Sequence, residues 1–307
     1  MNPTALLNAM PGAVSQGLIW GIMAIGVYLT YKILDVADLT VDGTLCTGGA
    51  TFIVATMAGC SIPVAMLLAF IAGLLAGLVT GILHVACGIP AILSGILTQL
   101  ALYSVNLRIM GKSNQPINAN NYDLLVSSRN VKVLGLENPI FIVGLAVILL
   151  IAVLYWFFGT ELGSSLRATG SNPNMARAQG INTGFTTVLG LMLSNGLVAL
   201  SSALLAQYQG FADVSMGRGA IVIGLAAVII GDVIFGKIFH NFALKLLSVV
   251  LGAVIYYVVY QLVIGLGMSG DDMKLITSLI VAVFLTIPYW KGKYFSKPVK
   301  KGDAHHA

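Results

Sequence analysis

The chain has 307 residues, of which 58% are hydrophobic and only 9% are charged. Soluble domains carry roughly 25% charged residues, and a core of this size could not hide so much apolar surface from water. The composition therefore excludes a soluble domain and predicts a polytopic protein embedded in the lipid bilayer. The net charge of +5 is modest and points to no nucleic-acid partner.

Apolar windows of about 19 residues, the length of a membrane-spanning helix, occur nine times along the chain. The predicted fold is therefore an all-α membrane protein with about nine transmembrane helices. Their predicted ranges are 14–34, 39–59, 62–87, 90–110, 138–158, 183–209, 217–235, 242–266 and 274–290. Residues 1–290 form one membrane domain in this interpretation, and residues 291–307 form a basic tail.

The positions of Lys and Arg predict how these helices are oriented. A polar insert at residues 159–182 interrupts the apolar sequence. With this insert in the cytoplasm, ten of the sixteen Lys and Arg residues are inside and six are outside. Basic residues favour the cytoplasmic side, so we expect the N-terminus outside and the C-terminus inside.

Three Asp residues lie at the start of the second predicted helix, in the stretch ILDVADLTVDGTLCTGGA over residues 33–50. An ionised Asp in hydrocarbon is costly unless it faces water or a partner. Asp38 and Asp42 are four residues apart and would share one face of a helix. Thr40 and Asp42 could cap the second helix, or these residues, with Thr44, could line a solute path. The sequence leaves both interpretations open.

Polar residues also interrupt the sixth predicted helix, at Ser194 and Asn195. Side chains of this kind form hydrogen bonds between membrane helices or line a wet path. Both roles are consistent with the sequence.

Two patterns concern how the helices are arranged. Gly73, Gly77 and Gly81 recur at every fourth position, which predicts a close helix contact, either within the chain or in a dimer seam. Ala37-Asp38 and Ala212-Asp213 each precede a Gly-bearing break ahead of a span. Because these spans are predicted to run in opposite directions, the pair indicates a possible inverted repeat with broken helices.

The polar insert contains its own helix signals. Asn172 followed by Pro173 is typical of a helix start, residues 174–179 read as helix, and Gly180 is a natural C-cap. A helix of about two turns is unstable alone in water. We therefore expect it to dock on a partner, through Met175, Ala176 and the stem of Arg177.

The residues of the insert also carry a family resemblance. LRATGSNPNMARAQGIN resembles the cytoplasmic loop of ABC importer permeases of the branched-chain amino acid and ribose class. The matching positions are Gly170, Asn172, Ala176, Gly180, Ile181 and Asn182. The N-terminal stretch from Ala13 to Ala50 is similar to the branch of tryptophan/tyrosine-type permeases, and GLAAVIIGDVIFG is similar to a later span of the family.

The resemblance implies a permease subunit of an ATP-binding cassette importer, which passes an amino acid or related small solute across a bacterial plasma membrane. It implies a second copy of the chain as pore partner, separate cytoplasmic ATPase subunits that bind ATP and Mg²⁺, and an extracytoplasmic solute-binding protein. The insert would be the ATPase-coupling loop, with its helix formed by Asn172, Pro173, Asn174, Met175, Ala176, Arg177, Ala178, Gln179 and Gly180. Candidates for the translocation path are Thr40, Asp42, Thr44, Ser194 and Asn195.

The sequence offers no sign of chemistry within the chain itself. No phosphate-binding loop precedes a helix, and neither His84 nor His240 has a partner at metal-ligand spacing. We therefore expect no catalytic residue, no metal site and no cofactor in this chain. The alternative function is an ion-coupled secondary transporter or channel that acts without an ATPase, through an intramembrane acid such as Asp42.

Overall fold

The computed structural model describes residues 3–118, 122, 124–132 and 138–265, with seven further helical positions between 275 and 286. Apart from those positions, the predicted ninth span at 274–290 and the basic tail at 291–307 lie outside the described residues. Over this part of the chain the helices are α1 (Pro3–Tyr28), α2 (Val41–Met57), α3 (Ile62–Val85), α4 (Ala91–Met110), α5 (Pro139–Gly159), α6 (Glu161–Ser171), α7 (Pro173–Ala178), α8 (Thr183–Gln209), α9 (Ala220–Phe235) and α10 (Phe242–Gly265).

Each of the first eight predicted spans coincides with a helix, in order α1 to α5 and α8 to α10. Six of the helices are long and apolar enough to cross a membrane, and α9 is a shorter apolar helix. A π-helical turn over Leu29–Leu34 extends α1. The insert holds two helices, α6 and α7, where the sequence predicted one.

The bundle has two ends that can be told apart by their contacts. At one end, which we call the insert end, α6 and α7 lie beside the π-helical turn and the start of α10, where the Phe158 and Phe242 rings are 5.0 Å apart. At the opposite end, the hairpin end, the short strands β1 (Asn114–Pro116) and β2 (Phe211–Asp213) pair antiparallel. Helices that follow one another along the chain run in alternating directions between these ends, as the order of predicted spans requires.

Glycines allow α3 and α8 to approach closely in the centre of the bundle. A Cβ on Gly73 would overlap the Asn195 carbonyl oxygen, and one on Gly77 would overlap the Leu191 carbonyl oxygen. A Cβ on Gly81 would make a tight contact with Val188, 3.0 Å from its Cγ1 and 3.1 Å from its Cα. Packing within the chain is thus confirmed for this stripe, and α8 occupies the surface that a dimer seam would need.

Replacing Gly77 with alanine is expected to lower the thermal unfolding temperature of the detergent-solubilised protein by several degrees. The new methyl group meets backbone of α8, and overpacking of this kind costs about 1–3 kcal/mol. Gly144→Ala is the matched control, because a Cβ there meets nothing within 4 Å. Equal melting temperatures for the two variants would contradict the close α3–α8 contact.

The two Ala-Asp stretches differ in local structure. Ala37 and Asp38 lie in an irregular segment before α2, whereas Ala212 and Asp213 lie in β2. Asp213 and Arg218 form no ion pair within the described chain. Partial burial acts to raise the pKa of the Asp213 carboxyl, but hydrogen bonds from Ser215 and Asn114 and the nearby charge of Arg218 bring that pKa below its ordinary value. The inverted repeat stays a prediction.

Candidate transport path and coupling segment

The chain re-enters the bundle between the π-helical turn and α2. At the insert end, Lys32 Nζ lies 3.0 Å from Asp232 Oδ2 of α9. At the other end of α9, Asp42 accepts hydrogen bonds from the Gly219 and Ile221 amides, both at 2.9 Å. Ile221 and Asp232 are eleven residues apart in one helix, which corresponds to about 17 Å.

The chain from Lys32 to Asp42 therefore covers roughly 17 Å of depth. Residues 35–38 within it have no regular secondary structure, and residues 39–40 form a turn. Irregular backbone at membrane depth is tolerated only where protein buries it or where it lines a cavity. Both α2 and α9 consequently begin inside the bundle, and their first turns meet at Asp42.

A buried polar network holds this irregular segment against α8. Asp38 is 3% exposed; its Oδ1 accepts from the Thr40 amide at 2.9 Å and its Oδ2 accepts from Asn195 Nδ2 at 2.7 Å. Asn195 Oδ1 in turn accepts from Thr44 Oγ1 at 2.7 Å. We call Asp38, Thr40, Thr44 and Asn195 the Asp38 network. It links the start of α2 to the middle of α8.

The predicted path residues fall into three places. Thr40, Thr44 and Asn195 meet in the Asp38 network, and Thr40 Oγ1 also lies 2.7 Å from Thr80 Oγ1. Ser194 points elsewhere, because its hydroxyl donates to the Gly26 carbonyl of α1 at 2.7 Å. Asp42 lies at the start of α9.

Two expectations about the acids were wrong in detail. Asp42 caps α9 and not α2, and Thr40 makes no side-chain cap on α2. Asp38 and Asp42 do not share a helix face, since Asp38 precedes the helix. Asp38 and Thr80 were missing from the candidate residues. In the sequence, each of these two residues appears only as a polar residue within an apolar stretch.

Replacing Asp42 with alanine is expected to lower protein stability by about 1–2 kcal/mol, because the first amides of α9 lose their acceptor. Asp42→Asn keeps a side-chain oxygen at the helix start and is expected to cost much less. Thermal unfolding of both variants in detergent checks this. Equal losses would show that the cap does not stabilise α9.

The coupling segment has the helix boundaries that the sequence predicts. Asn172 Oδ1 accepts from the Met175 amide at 3.1 Å, Pro173 is the first helical residue, and Gly180 has a φ of +82°. Eight of the nine candidate residues are exposed, and Met175 is 64% exposed. Ala176 is 3% exposed.

Burial of Ala176 corrects the expected docking surface. Its methyl group faces its own chain and anchors α7, so Met175 is the apolar side chain that α7 presents outward. Arg177 Nε donates to Thr183 Oγ1 at 2.7 Å, which ties α7 to the first turn of α8.

Helix α6 connects the coupling segment to the irregular segment. A Cβ on Gly170 would overlap the Ile33 carbonyl oxygen, so α6 and the π-helical turn touch backbone to backbone. Arg167 donates to the Phe158 carbonyl and lies over the Phe242 ring at 5.4 Å, which fixes α6 to α5 and α10. Backbone contact thus joins α6 to the π-helical turn that precedes residues 35–40.

Within the part of the chain that the structure describes, no group of three or more His, Cys, Asp or Glu side chains could hold a metal ion. The arrangement consists of apolar spans, irregular backbone at membrane depth and an exposed surface helix linked to it. These features are typical of a membrane transport subunit, and α2 and α9 begin inside the bundle as broken helices do in transporters.

A family model described as "Branched-chain amino acid transport system / permease component" matches residues 10–287, and the chain belongs to this family. A tyrosine transport system permease protein from Clostridioides difficile is 42% identical over 280 residues, which cover 91% of each chain. An uncharacterized protein from Rickettsia prowazekii, RP368, is 33% identical over 91% of this chain and 98% of its own length. The autoinducer 2 import system permease protein LsrC of Salmonella typhimurium is 28% identical over 71% of this chain and 61% of its own.

Among solved structures, PsaBC from Streptococcus pneumoniae in complex with Fab is similar in fold, with a TM-score of 0.52 and 17% identity over 94% of each chain. The resemblance found in the insert is confirmed by the family match. The chain is a multi-pass permease component of an ABC-type transport system in the bacterial inner membrane. Proteins of this family are membrane subunits of transporters.

Proposed function

We propose that this chain forms the pore of an ATP-driven importer for an amino acid, which an extracytoplasmic binding protein delivers. The name of the relative at 42% identity, a tyrosine transport system permease, makes tyrosine the first solute to test. The name of LsrC, an import system permease, supports the inward direction. In this proposal the insert end faces the cytoplasm.

The observation that carries this proposal is the exposed α7. Ala176 is the buried residue of α7 and the Arg177–Thr183 bond ties the helix to α8, while Met175 projects outward. An exposed two-turn helix with a projecting methionine suits insertion into a cleft of a partner. That partner is the ATPase subunit, which binds ATP and Mg²⁺, and a second copy of this chain completes the pore.

The ion-coupled alternative has less support. The ion-coupled alternative would act through an intramembrane acid such as Asp42, which must be free to bind and release the ion. Both oxygens of Asp42 accept amide hydrogen bonds from α9, and both oxygens of Asp38 accept hydrogen bonds inside the Asp38 network. These two carboxyl groups therefore have structural roles.

Replacing Met175 with glutamate is expected to reduce co-purification of the ATPase at least tenfold, which corresponds to about 1.4 kcal/mol. A charge would enter an apolar contact, whereas the helix itself would remain folded because Met175 is exposed. Leu125→Glu is the matched control, since Leu125 is 44% exposed and lies at the hairpin end. Undiminished ATPase recovery with Met175→Glu would argue against α7 as the coupling helix.

A further inference from the structure

A cavity of about 280 Å³ lies between the first turns of α2, the middle of α4 and residues 214–218. Its wall carries five polar side chains, from Asp42, Gln99, Tyr103, Asn106 and Arg218. Sites for drug-sized ligands measure roughly 300–1,000 Å³. This cavity therefore suits a smaller solute.

The cavity lies at membrane depth. Arg218 directly precedes Gly219, whose amide binds Asp42, and α9 then runs twelve residues from Ala220 to the Lys32–Asp232 pair. Arg218 is thus about 18 Å from the insert end. A charged side chain at such a depth needs water or a partner.

The exposed face of α5 is apolar, unlike the wall of this cavity. It presents Phe141, Leu145, Ile148 and Trp156, as expected of a surface that lipid covers. Arg218 is exposed and makes no ion pair among the described residues. Polar side chains thus surround Arg218 in this cavity, in contrast to the apolar face of α5.

The cavity wall contains a buried acceptor that is not used. Asn106 is 1% exposed; its Nδ2 lies 3.4 Å from the Gly43 carbonyl oxygen, and its Oδ1 accepts no hydrogen bond from the described chain. An unsatisfied buried polar group costs about 1–3 kcal/mol. Asn106 thus brings to the cavity wall an amide oxygen that no donor of the described chain satisfies.

The Arg218 guanidinium and the Asn106 amide oxygen bind opposite charges. The Arg218 guanidinium is near the Asp213 carboxyl but forms no ion pair with it, so its N–H groups can bind a carboxylate through two parallel hydrogen bonds. An amide oxygen accepts a hydrogen bond from an ammonium. Tyr103 and Leu100, both partly exposed in the same wall, offer apolar contact to a side chain. A zwitterion with an apolar or aromatic side chain meets all three requirements.

We infer that this cavity is a solute-contact site in the transport path, which holds an α-amino acid with Arg218 at its carboxylate and Asn106 Oδ1 at its ammonium. The inference rests on the proposed function and adds to it the class of solute and the residues that touch it. Solute specificity would then belong in part to this chain and not only to a binding protein.

The test is uptake of radiolabelled L-amino acids, L-tyrosine first, into proteoliposomes that contain the full chain, its ATPase and its binding protein at saturating solute. Arg218→Gln and Asn106→Leu are each expected to lower maximal uptake at least tenfold without changing ATPase recovery. Asn106→Asp keeps an acceptor and is expected to retain most of the uptake. Arg108→Gln is the matched control, because Arg108 is exposed on α4 and does not line the cavity.

Uptake at the wild-type level by both Arg218→Gln and Asn106→Leu would overturn the site and leave the proposed function intact. Equal loss with Asn106→Asp and Asn106→Leu would overturn the role of the Asn106 oxygen. No ATP-driven uptake of any amino acid by the unaltered complex would overturn the proposed function and the site with it.

Discussion

Replacing Gly170 with alanine is expected to abolish the coupling of ATP hydrolysis to transport and to lower the thermal unfolding temperature by about 5 °C or more. Gly170 lies inside α6, where alanine would otherwise stabilise the helix by about 1 kcal/mol. The added methyl group would instead overlap the Ile33 carbonyl oxygen and press on the Leu34 backbone. Since both partners are backbone, neither side chain can move aside, and α6 must separate from the π-helical turn.

The two effects of Gly170→Ala have opposite signs: alanine alone would stabilise α6, whereas overlap with the Ile33 backbone destabilises the protein. Gly159→Ala is the matched control, because Gly159 ends α5 in the same region and a Cβ there meets nothing within 4 Å. Thermal unfolding in detergent and the ratio of uptake to ATP hydrolysis are measured for both variants. A stabilised, fully coupled Gly170→Ala protein would show that α6 does not transmit movement to residues 35–40.

Replacing Asn195 with leucine is expected to cost about 2 kcal/mol of stability and most of the transport activity. The fully buried carboxyl of Asp38 would keep only Thr40 as a donor, through its amide and its hydroxyl. Hydrogen bonds to charged groups contribute about 1.5–3 kcal/mol, and removal of one partner leaves the other unsatisfied. The irregular segment would then lose its attachment to α8.

Thr44→Val is the control, because it removes a hydrogen bond of the Asp38 network that does not involve the Asp38 carboxyl. It removes only the bond to Asn195 Oδ1, and bonds between membrane helices are worth about 0.6 kcal/mol on average. A double-mutant cycle of Asp38→Ala and Asn195→Ala measures the coupling directly. Additive effects in that cycle would mean that the two side chains do not stabilise each other.

The membrane helices could be predicted from the sequence because lipid imposes a composition on every span. Seven of the eight described spans begin within a few residues of the predicted positions, whereas α1 begins at Pro3 and not at residue 14. Helix α6 was missed because it is a surface helix of mixed composition, ELGSSLRATGS, and a hydropathy window does not detect such a helix.

The candidate site divides into local and long-range features. The boundaries of α7 were predictable, since the Asn172 cap and the positive φ of Gly180 act over three or four residues. The cap on α9 was not, because Asp42 and Gly219 are 177 residues apart in sequence. Likewise, no local pattern could show that Ala176 faces inward or that Gly170 lies against Ile33.

ATP-driven uptake is the most direct test of the proposed importer. The full chain is reconstituted with its ATPase in proteoliposomes, the solute-bound binding protein is added outside, and uptake of radiolabelled L-tyrosine is followed with and without ATP inside. We expect uptake that requires ATP and both partners and that persists when an ionophore removes all ion gradients. Uptake by this chain alone, driven by an ion gradient and unchanged by ATP, would contradict the importer.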